Sequence, residues 1–600
     1  MADLINARDL DFLLHDWLKV EELTAYPRFA EHDRATFDAV LETARQLAED
    51  KFRPHNRAAD LAEPRLVDGK VETHPDVGPA IQAFYEAGFG AAHHDAALGG
   101  MQLPWTVQQA AFAYFQAANI STAAYPFLTV AAANLIHAHG SDSQKIRYMA
   151  PMLEGRFQGT MVLSEPHAGS SLSDVRTTAR AMPDGSYRLS GSKMWISGGS
   201  HELSENIVHL VLARIEGAPA GVRGLSLFIV PRYRLEPDGG IGADNDVILA
   251  GLNHKMGYRG TVNTALSFGD AGDCRGELIG EANKGLGYMF HMMNEARIGV
   301  GVGAAMLAYA GYQHSLEYAR ERPQGRHPGE KDPNAPQIML IEHADIRRLL
   351  LKQKVVAEGG LALGLMAAQL VDRQRQDPEP NIRDESGLLL DILTPIIKSW
   401  ISDHGLAANE AAIQILGGAG FTRDHPVEQF YRDNRLNPIH EGTNGIQAID
   451  LLGRKVIMRD GAGLALLERR IWATIARAGG VPALTEDAVA LGAALERLLT
   501  AASKIHGAME QIGARRGLAN ASAFMEMAGL VIMAWVWLEQ AVVAVDRLEA
   551  KPDAATRDFL EGKVHACRYM QRHELPAVKP LSELLENLDD TVHDMRAEWF

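Results

Sequence analysis

Apolar residues recur at spacings of three and four in FDAVLETARQLAED (37–50) and VQQAAFAYFQAANIS (107–121). Both segments are rich in Ala, Leu and Gln, and this period predicts amphipathic helices across the first 158 residues. ALGGMQLP (97–104) punctuates them with Gly and Pro. After Gly159 the pattern changes to short β-branched or aromatic runs: TMVLSE, YRLSGSKMWIS, NIVHLVLARI, GLSLFIVP and TVNTALSFGD. Gly, Asp and Pro divide them, as expected for strands of a β domain over 159–275. Long helical periods return in 287–322, 344–374 and 393–416, and predict a four-helix bundle over 276–457. RQRQDPEPNIRDESG (373–387) is expected as a surface loop. Further helical periods predict a separate extension over 458–600. The fold class that follows is mostly α with a central, β-barrel-like domain, flanked by an N-terminal helical domain, the bundle and the extension.

The segment AFMEMAGLVIMAWVWLEQAVVAV (523–545) is apolar enough to raise a membrane span. Only Met527–Leu538, between Glu526 and Glu539, is free of charge, short of the about 18–20 residues a span requires. A helix buried in a bundle is the expectation, and membrane contact is not. RIGVGVGAA (297–305) offers glycines resembling a dinucleotide fingerprint, but it follows no strand and lies within a helical period. Close helix packing is the expected use of those glycines.

Composition narrows the function classes. Lys and Arg number 59 against 76 Asp and Glu, a net charge of −17, which disfavours nucleic acid or an anionic bilayer as the main partner. Two cysteines, Cys274 and Cys567, give no disulfide framework and fit a reducing compartment. The N-terminal stretch has early acids and no basic segment, so no signal peptide is expected and a cytoplasmic location follows. None of the 23 histidines falls in HExxH, no cysteine pair has ligand spacing and no GxSxG elbow occurs. No metal is therefore expected.

Several motifs invite chemistry, each with an ordinary alternative. In MVLSEPHAGSSLSD (161–174), the amides of a Gly-containing loop suit an anion or a ring edge, or simply a turn. Trp195 in KMWISGG (193–199) suits the core or a flat ligand. IQILGGAGF (413–421) ends a helix in Gly-Gly, either as a plain cap or as a surface a cofactor can approach. Arg297, on an otherwise small and apolar helix, requires a carboxylate or a ligand phosphate. Glu441, in NPIHEGTNGIQ (437–447), sits on a Pro/Gly-punctuated turn.

Taken in order, EPHAGSS, KMWIS, NEAR, ARERPQGR, QILGGAGF and HEGTNGIQ resemble the acyl-CoA dehydrogenase family of flavoproteins over about residues 40–457. YMAPMLEGRFQGTMVLSEP (148–166) looks like that family's entry into its β domain. The extra C-terminal helices resemble its long bacterial subgroup, which includes fatty acyl-CoA and methylthiopropionyl-CoA dehydrogenases. The resemblance implies FAD held between the β domain and the bundle. Ser164, Ser170, Trp195, Ile196 and Ser197 would contact it, as would Thr443 and Asn444. Arg322, Gln414, Gly417 and Gly418 would reach it across a subunit interface, which implies a homo-oligomer, a homodimer in the simplest case. Ser170, Asn294, Arg297 and Gly442 would hold the thioester substrate, with Asn294 and Arg297 at its pantetheine and adenine end. Glu441 would be the base that removes the α-proton, while the β-hydrogen passes to the flavin and then to an electron-transferring flavoprotein.

The activity so implied is dehydrogenation of a medium- or long-chain fatty acyl-CoA to the trans-2-enoyl-CoA. The alternatives are 3-methylthiopropionyl-CoA as substrate, an acyl-CoA oxidase, or a flavin-binding scaffold without catalysis. His440, Gly445 and Ser171 depart from the family's usual Tyr, Gln and Asp, and ARERPQGR lacks the usual aromatic. AAYPFLTVAAANL (123–135) is expected to wall the acyl pocket, its alanines leaving room.

Overall fold

A computed structural model describes residues 3–600, except for the side chains of 291–294. The chain divides into two compact units. One comprises Asp38–Leu103 and Tyr114–Ala296; the other comprises residues up to Phe37, Pro104–Ala113 and Arg297–Phe600.

In the unit of Asp38–Leu103 and Tyr114–Ala296, the expected all-helical N-terminal run is interrupted by a hairpin. Strand β1 (Arg65–Val67) pairs antiparallel with β2 (Lys70–Glu72). Asp68 and Gly69 turn it with φ of 49° and 78°. An Asp-Gly pair adopts these left-handed angles readily and matches strand twist, so the signal was present in RLVDGKVE. The helix Ile120–His139 begins on Asn119, whose side chain accepts from the Thr122 amide. Ala131, Ala132 and Ala133 of this helix are buried in a core cluster. A methyl at Gly159 would lie 2.6 Å from the Ala132 Cβ.

The β domain is a closed barrel with extensions. Its strands are β3 (Phe157–Val162), β4 (Thr178–Ala181), β5 (Tyr187–Ser197), β6 (Asn206–Ile215) and β7 (Leu225–Pro231), followed by β8 (Tyr233–Leu235), β9 (Ile241–Asp244), β10 (Val247–Leu252), β11 (Asn263–Phe268) and β12 (Arg275–Leu278). The ring runs β4-β5-β12-β7-β6 and closes where β6 pairs parallel with β4. β3 adds parallel to β6, and β11 with β10 continues from the far half of β5. Closure leaves no free edge on the ring. Alternating inward residues, among them Ala179, Leu189, Val211, Phe228 and Val230, fill it.

In the other unit the long helices are Gly285–Glu321 (from Arg297 onward), Ala344–Gln376 and Pro380–Leu416. The glycine-rich RIGVGVGAA is interior to the first. A Cβ on Gly301 would meet the Ile397 carbonyl oxygen and Cγ2, each at 2.6 Å, so close packing is its use. The loop expected over 373–387 shrinks to three residues. Pro380 opens the next helix at its first position, and the Asp377 carboxylate accepts from the Glu379 amide. Proline's fixed φ suits a helix start, so a polar, Pro-bearing run became a tight joint instead of a loop.

Residues 458–600 belong to the same compact unit. Helix Ala521–Glu549 passes the length and hydropathy test for a membrane span, but 83% of its most apolar window is buried inside the protein. It packs on Ala344–Gln376, Pro380–Leu416 and Asn444–Asp450. Small residues permit the approach, since a Cβ on Gly529 would lie 2.0 Å from Trp400 Cδ1 and one on Gly359 2.5 Å from Met533 Sδ. Trp537 Nε1 donates to the Val355 carbonyl at 3.0 Å. Beneath this helix, the buried Lys563 ammonium pairs with Asp9 and, at 2.9 Å, with Glu358.

Candidate active site

Two regions gather the residues singled out from the sequence, one in each unit. In the β domain, SEPHAGSS leaves β3 and doubles back at once, Glu165 and Ala168 exchanging backbone hydrogen bonds of 2.9 and 3.0 Å. The Glu165 carboxylate accepts from the Arg176 amide (2.8 Å), the Thr177 amide (3.0 Å) and the Thr177 hydroxyl (2.5 Å). It also pairs with Lys193 Nζ at 3.0 Å, and that ammonium donates to the carbonyls of Leu163 and Leu212. These donors outweigh burial and hold Glu165 at about 2, while burial pushes Lys193 down to about 8. Neither residue was singled out from the sequence. The cue was there, a lysine inside a strand just before Met194 and Trp195, with an acid 28 residues earlier.

This clamp fixes the two stretches expected at the flavin. The Met194 amide donates to the Ser164 carbonyl at 3.0 Å, joining loop to strand. Pairing of β5 with β11 slips between Lys193 and Ile196, a bulge that puts Trp195 at φ 66°. A bulge re-aims a side chain, and here the indole is turned out, 63% exposed. Ser164 is half-buried and Ser170 exposed. Ile196 faces the barrel core, and its carbonyl accepts from the Thr264 hydroxyl. The Ser197 hydroxyl accepts from Asn263 Nδ2 at 3.1 Å. A large aromatic held on a strained backbone and left uncovered, beside hydroxyls and a glycine (Gly169) facing open space, fits a planar ring with polar edges.

In the other unit, the base candidate sits at the apex of a closed loop. The Asn444 amide donates to the Pro438 carbonyl at 3.1 Å, and helix Asn444–Asp450 starts there. Glu441 has φ 54° and Gly442 φ 88°. A left-handed glutamate followed by a left-handed glycine is strained backbone, which persists only where surrounding structure imposes it. Gln447 supplies part of that structure by donating to the Glu441 carbonyl at 3.2 Å. A Cβ on Gly442 would lie 2.5 Å from the Gln447 amide nitrogen, so only glycine fits.

Burial raises the Glu441 carboxyl above the ordinary range, and Arg297 and Lys398 pull it back. Arg297 is buried beside this loop, favoured by the charges of Asp450 and Glu441. A Cβ on Gly442 would lie 4.0 Å from Arg297 Nη2, which places the guanidinium next to the loop of the base candidate. Lys398 was not singled out from LTPIIKSWIS. It is 0% exposed, and its ammonium donates to Asn444 Oδ1 at 2.8 Å. Asn444 Nδ2 in turn donates to the Ser399 carbonyl and Ser402 hydroxyl, each at 3.2 Å. The Asn444 amide is thus used within the bundle, while Thr443 caps the helix without a side-chain bond. Arg322, Gln414, Gly417 and Gly418 are exposed, and Phe421 beside the glycines is 89% exposed. Asn294 lies outside the described side chains.

A strained, half-buried carboxylate with a raised proton affinity is suited to removing a weakly acidic proton. The outward Trp195 and its polar neighbours are suited to a flavin. Comparison with known proteins gives the family. Residues 35–156, 160–271 and 283–456 match the N-terminal, middle and C-terminal domains of acyl-CoA dehydrogenases. Residues 467–596 match the acetyl-CoA dehydrogenase C-terminal-like domain.

The chain is 37% identical to 3-methylmercaptopropionyl-CoA dehydrogenase of Ruegeria pomeroyi, over 93% of each chain. It is 33% identical to the broad-specificity linear acyl-CoA dehydrogenase FadE5 of Mycobacterium tuberculosis, over 98% of each. The structure of an acyl-CoA dehydrogenase complexed with FAD from Bacillus anthracis shares the fold at a TM-score of 0.69, with 19% identity, over 93% of this chain and 96% of that one. This protein belongs to the acyl-CoA dehydrogenase family. It is an FAD-dependent oxidoreductase with acyl-CoA dehydrogenase activity.

Proposed function

We propose that the enzyme converts a linear medium- or long-chain fatty acyl-CoA to its trans-2-enoyl-CoA, with Glu441 as the base for the α-proton. The observation that carries this reading is the Glu441–Gly442 pair, a carboxylate held at φ 54° and followed by a glycine at 88°. A thioester α-proton is weakly acidic, so its removal needs a base of raised proton affinity and donors for the developing enolate oxygen. Burial gives Glu441 the first property. Backbone amides at Gly442, where no Cβ intrudes, are suited to the second. FAD, when bound, supplies the acceptor for the β-hydrogen. Trp195, Ser164, Ser170 and Ser197, with the backbone at Ile196, would line its ring. Thr443 and Asn444 would lie towards it, Asn444 through its backbone. Arg322, Gln414, Gly417 and Gly418 would meet the cofactor of a second subunit in a homodimer. Gly442 and Ser170 would touch the thioester, with Asn294 and Arg297 towards the substrate's pantetheine and adenine end. An electron-transferring flavoprotein would take the electrons, and a cytoplasmic location fits the composition.

The second reading is a short thioether substrate, 3-methylthiopropionyl-CoA, favoured by the 37% identity to the Ruegeria enzyme. A steady-state series from butyryl- to palmitoyl-CoA, with the thioether alongside, separates the two. The first reading expects kcat/KM to peak at medium or long chains, and activity confined to the thioether overturns it. For the base, Glu441→Gln is expected to lower kcat by about two to four orders of magnitude with FAD retained. Unchanged turnover would remove Glu441 from that role. Peroxide formed without an added acceptor would point to an oxidase instead.

A further inference from the structure

We propose that Lys398 is a positioning residue for the base: it anchors the Glu441 loop through Asn444 and sets a buried positive charge in the field of the Glu441 carboxylate. The inference rests on the reading of Glu441 as base. Lys398 is fully buried in the middle of Pro380–Leu416, one residue after Ile397, which the Gly301 backbone approaches closely. A buried ammonium is costly unless partnered, and the side-chain hydrogen bond it makes is to Asn444, at 2.8 Å. Asn444 closes the 438–444 loop with its own amide, and its side chain is pinned to Ser399 and Ser402 of the helix that carries Lys398. Ser402 Oγ is itself fixed to the Ser399 carbonyl at 3.0 Å. Glu441 is therefore carried on a loop whose closing residue is held by this lysine.

Charge acts in the same place. Burial pushes Lys398 down to about 7, opposed by Asp403 and Glu441 and reinforced by Arg297. Asp403, on the same helix, is raised by burial and lowered by its hydrogen bond from Asn444, His404 and Lys398, with Glu526 of helix Ala521–Glu549 acting the other way. Arg297 comes from helix Gly285–Glu321 and also feels Asp450 and Arg454. His440, next to the base, is pushed down to about 3, first by burial and then by Lys398, and so stays neutral. The charges reaching Glu441 are therefore Arg297 and Lys398. Burial favours the protonated form of the Glu441 carboxyl, and the charges of Arg297 and Lys398 favour the ionised form, so a protonated Lys398 opposes the upward shift.

The test reads Glu441 directly in the FAD-loaded enzyme. Carbodiimide modifies protonated carboxyls, so peptide mass spectrometry of the Glu441 peptide against pH gives its titration midpoint. Lys398→Met is expected to move that midpoint up by about one pH unit, the usual scale for losing a neighbouring opposite charge. The acid limb of kcat/KM should move with it, lowering kcat/KM on that limb by about tenfold. Lys398→Arg, which keeps the charge, should leave both near the wild-type position. A merely structural lysine would lower FAD content and rate alike at every pH, with the midpoint fixed. That result, in folded Lys398→Met, overturns the proposal. If Lys398→Met does not fold, Lys398→Gln keeps a donor for Asn444 without the charge and gives the same reading. Glu441→Gln assayed alongside decides the base separately: retained turnover there removes the base reading, while the modification midpoint still decides the role of Lys398.

Discussion

Lys193 and Glu165 form an ion pair of 3.0 Å with side chains 0% and 2% exposed, and it joins the two β-domain segments expected to face the flavin. The pair is saturated, with two carbonyls on the ammonium and two amides and a hydroxyl on the carboxylate. Removing one partner leaves a buried charge without its complement. Lys193→Met is expected to cost about 3–5 kcal/mol in denaturant unfolding of the β domain and to lower bound FAD. The double variant Glu165→Gln/Lys193→Met should recover part of that loss.

The same pair sets an acid limit on stability. Glu165 lies at about 2 in the folded protein against 4.5 as a free side chain. A depressed carboxylate stabilises fully above its unfolded value and loses that contribution as pH falls towards the folded one. The melting temperature should thus decline between pH 4.5 and about 2. In Lys193→Met the folded value moves back towards the unfolded one, so the decline over that range should shrink, as scanning calorimetry would read.

Gly442 is held at φ 88°, with its missing Cβ facing the Gln447 amide at 2.5 Å. Gly442→Ala combines left-handed strain of about 1–2 kcal/mol with displacement of Gln447 from the Glu441 carbonyl. The variant is expected to fold, because the displaced group is the end of a flexible side chain. It should lose kcat by at least tenfold with a smaller change in KM. Equal losses in kcat and thermal stability of a larger size would indicate a folding defect instead.

Lys563, from the C-terminal extension, meets Asp9 and Glu358, and its ammonium lies 5.0 Å from the Trp537 ring centroid. Burial raises Asp9, whereas Lys354 and Lys563 lower Glu358 against its burial. Lys563→Met should destabilise by about 3–5 kcal/mol, because it leaves two carboxylates together in the interior. Adding Asp9→Asn should restore a measurable share. Urea unfolding of the three proteins provides the comparison, and absence of any recovery would show that the pair is not coupled.

Periodicity carried the fold class, since a change from spacing three and four to short β-branched runs at Gly159 is a local property of the chain. The order of motifs carried the family for a similar reason, because residue type and sequence spacing survive without coordinates. Local reading failed where two cues competed. RLVDGKVE was absorbed into a helical neighbourhood although Asp68-Gly69 is a hairpin turn, and the polar run at 373–387 concealed a proline that starts a helix.

The site divides along the same line. The sequence by itself determined that Glu441 lies on a constrained turn, because Pro438 and Gly442 are written beside it. It did not contain the two cations that act on Glu441, which come from positions 144 and 43 residues earlier, Arg297 and Lys398. Nor did it indicate that Asn444 is held by that lysine, or that Lys193 answers Glu165. A lysine in an apolar helical or strand run looks locally like a misplaced surface charge. Only tertiary packing supplies the buried partner that makes the charge affordable, and proton affinity depends on what the whole fold brings within a few ångströms.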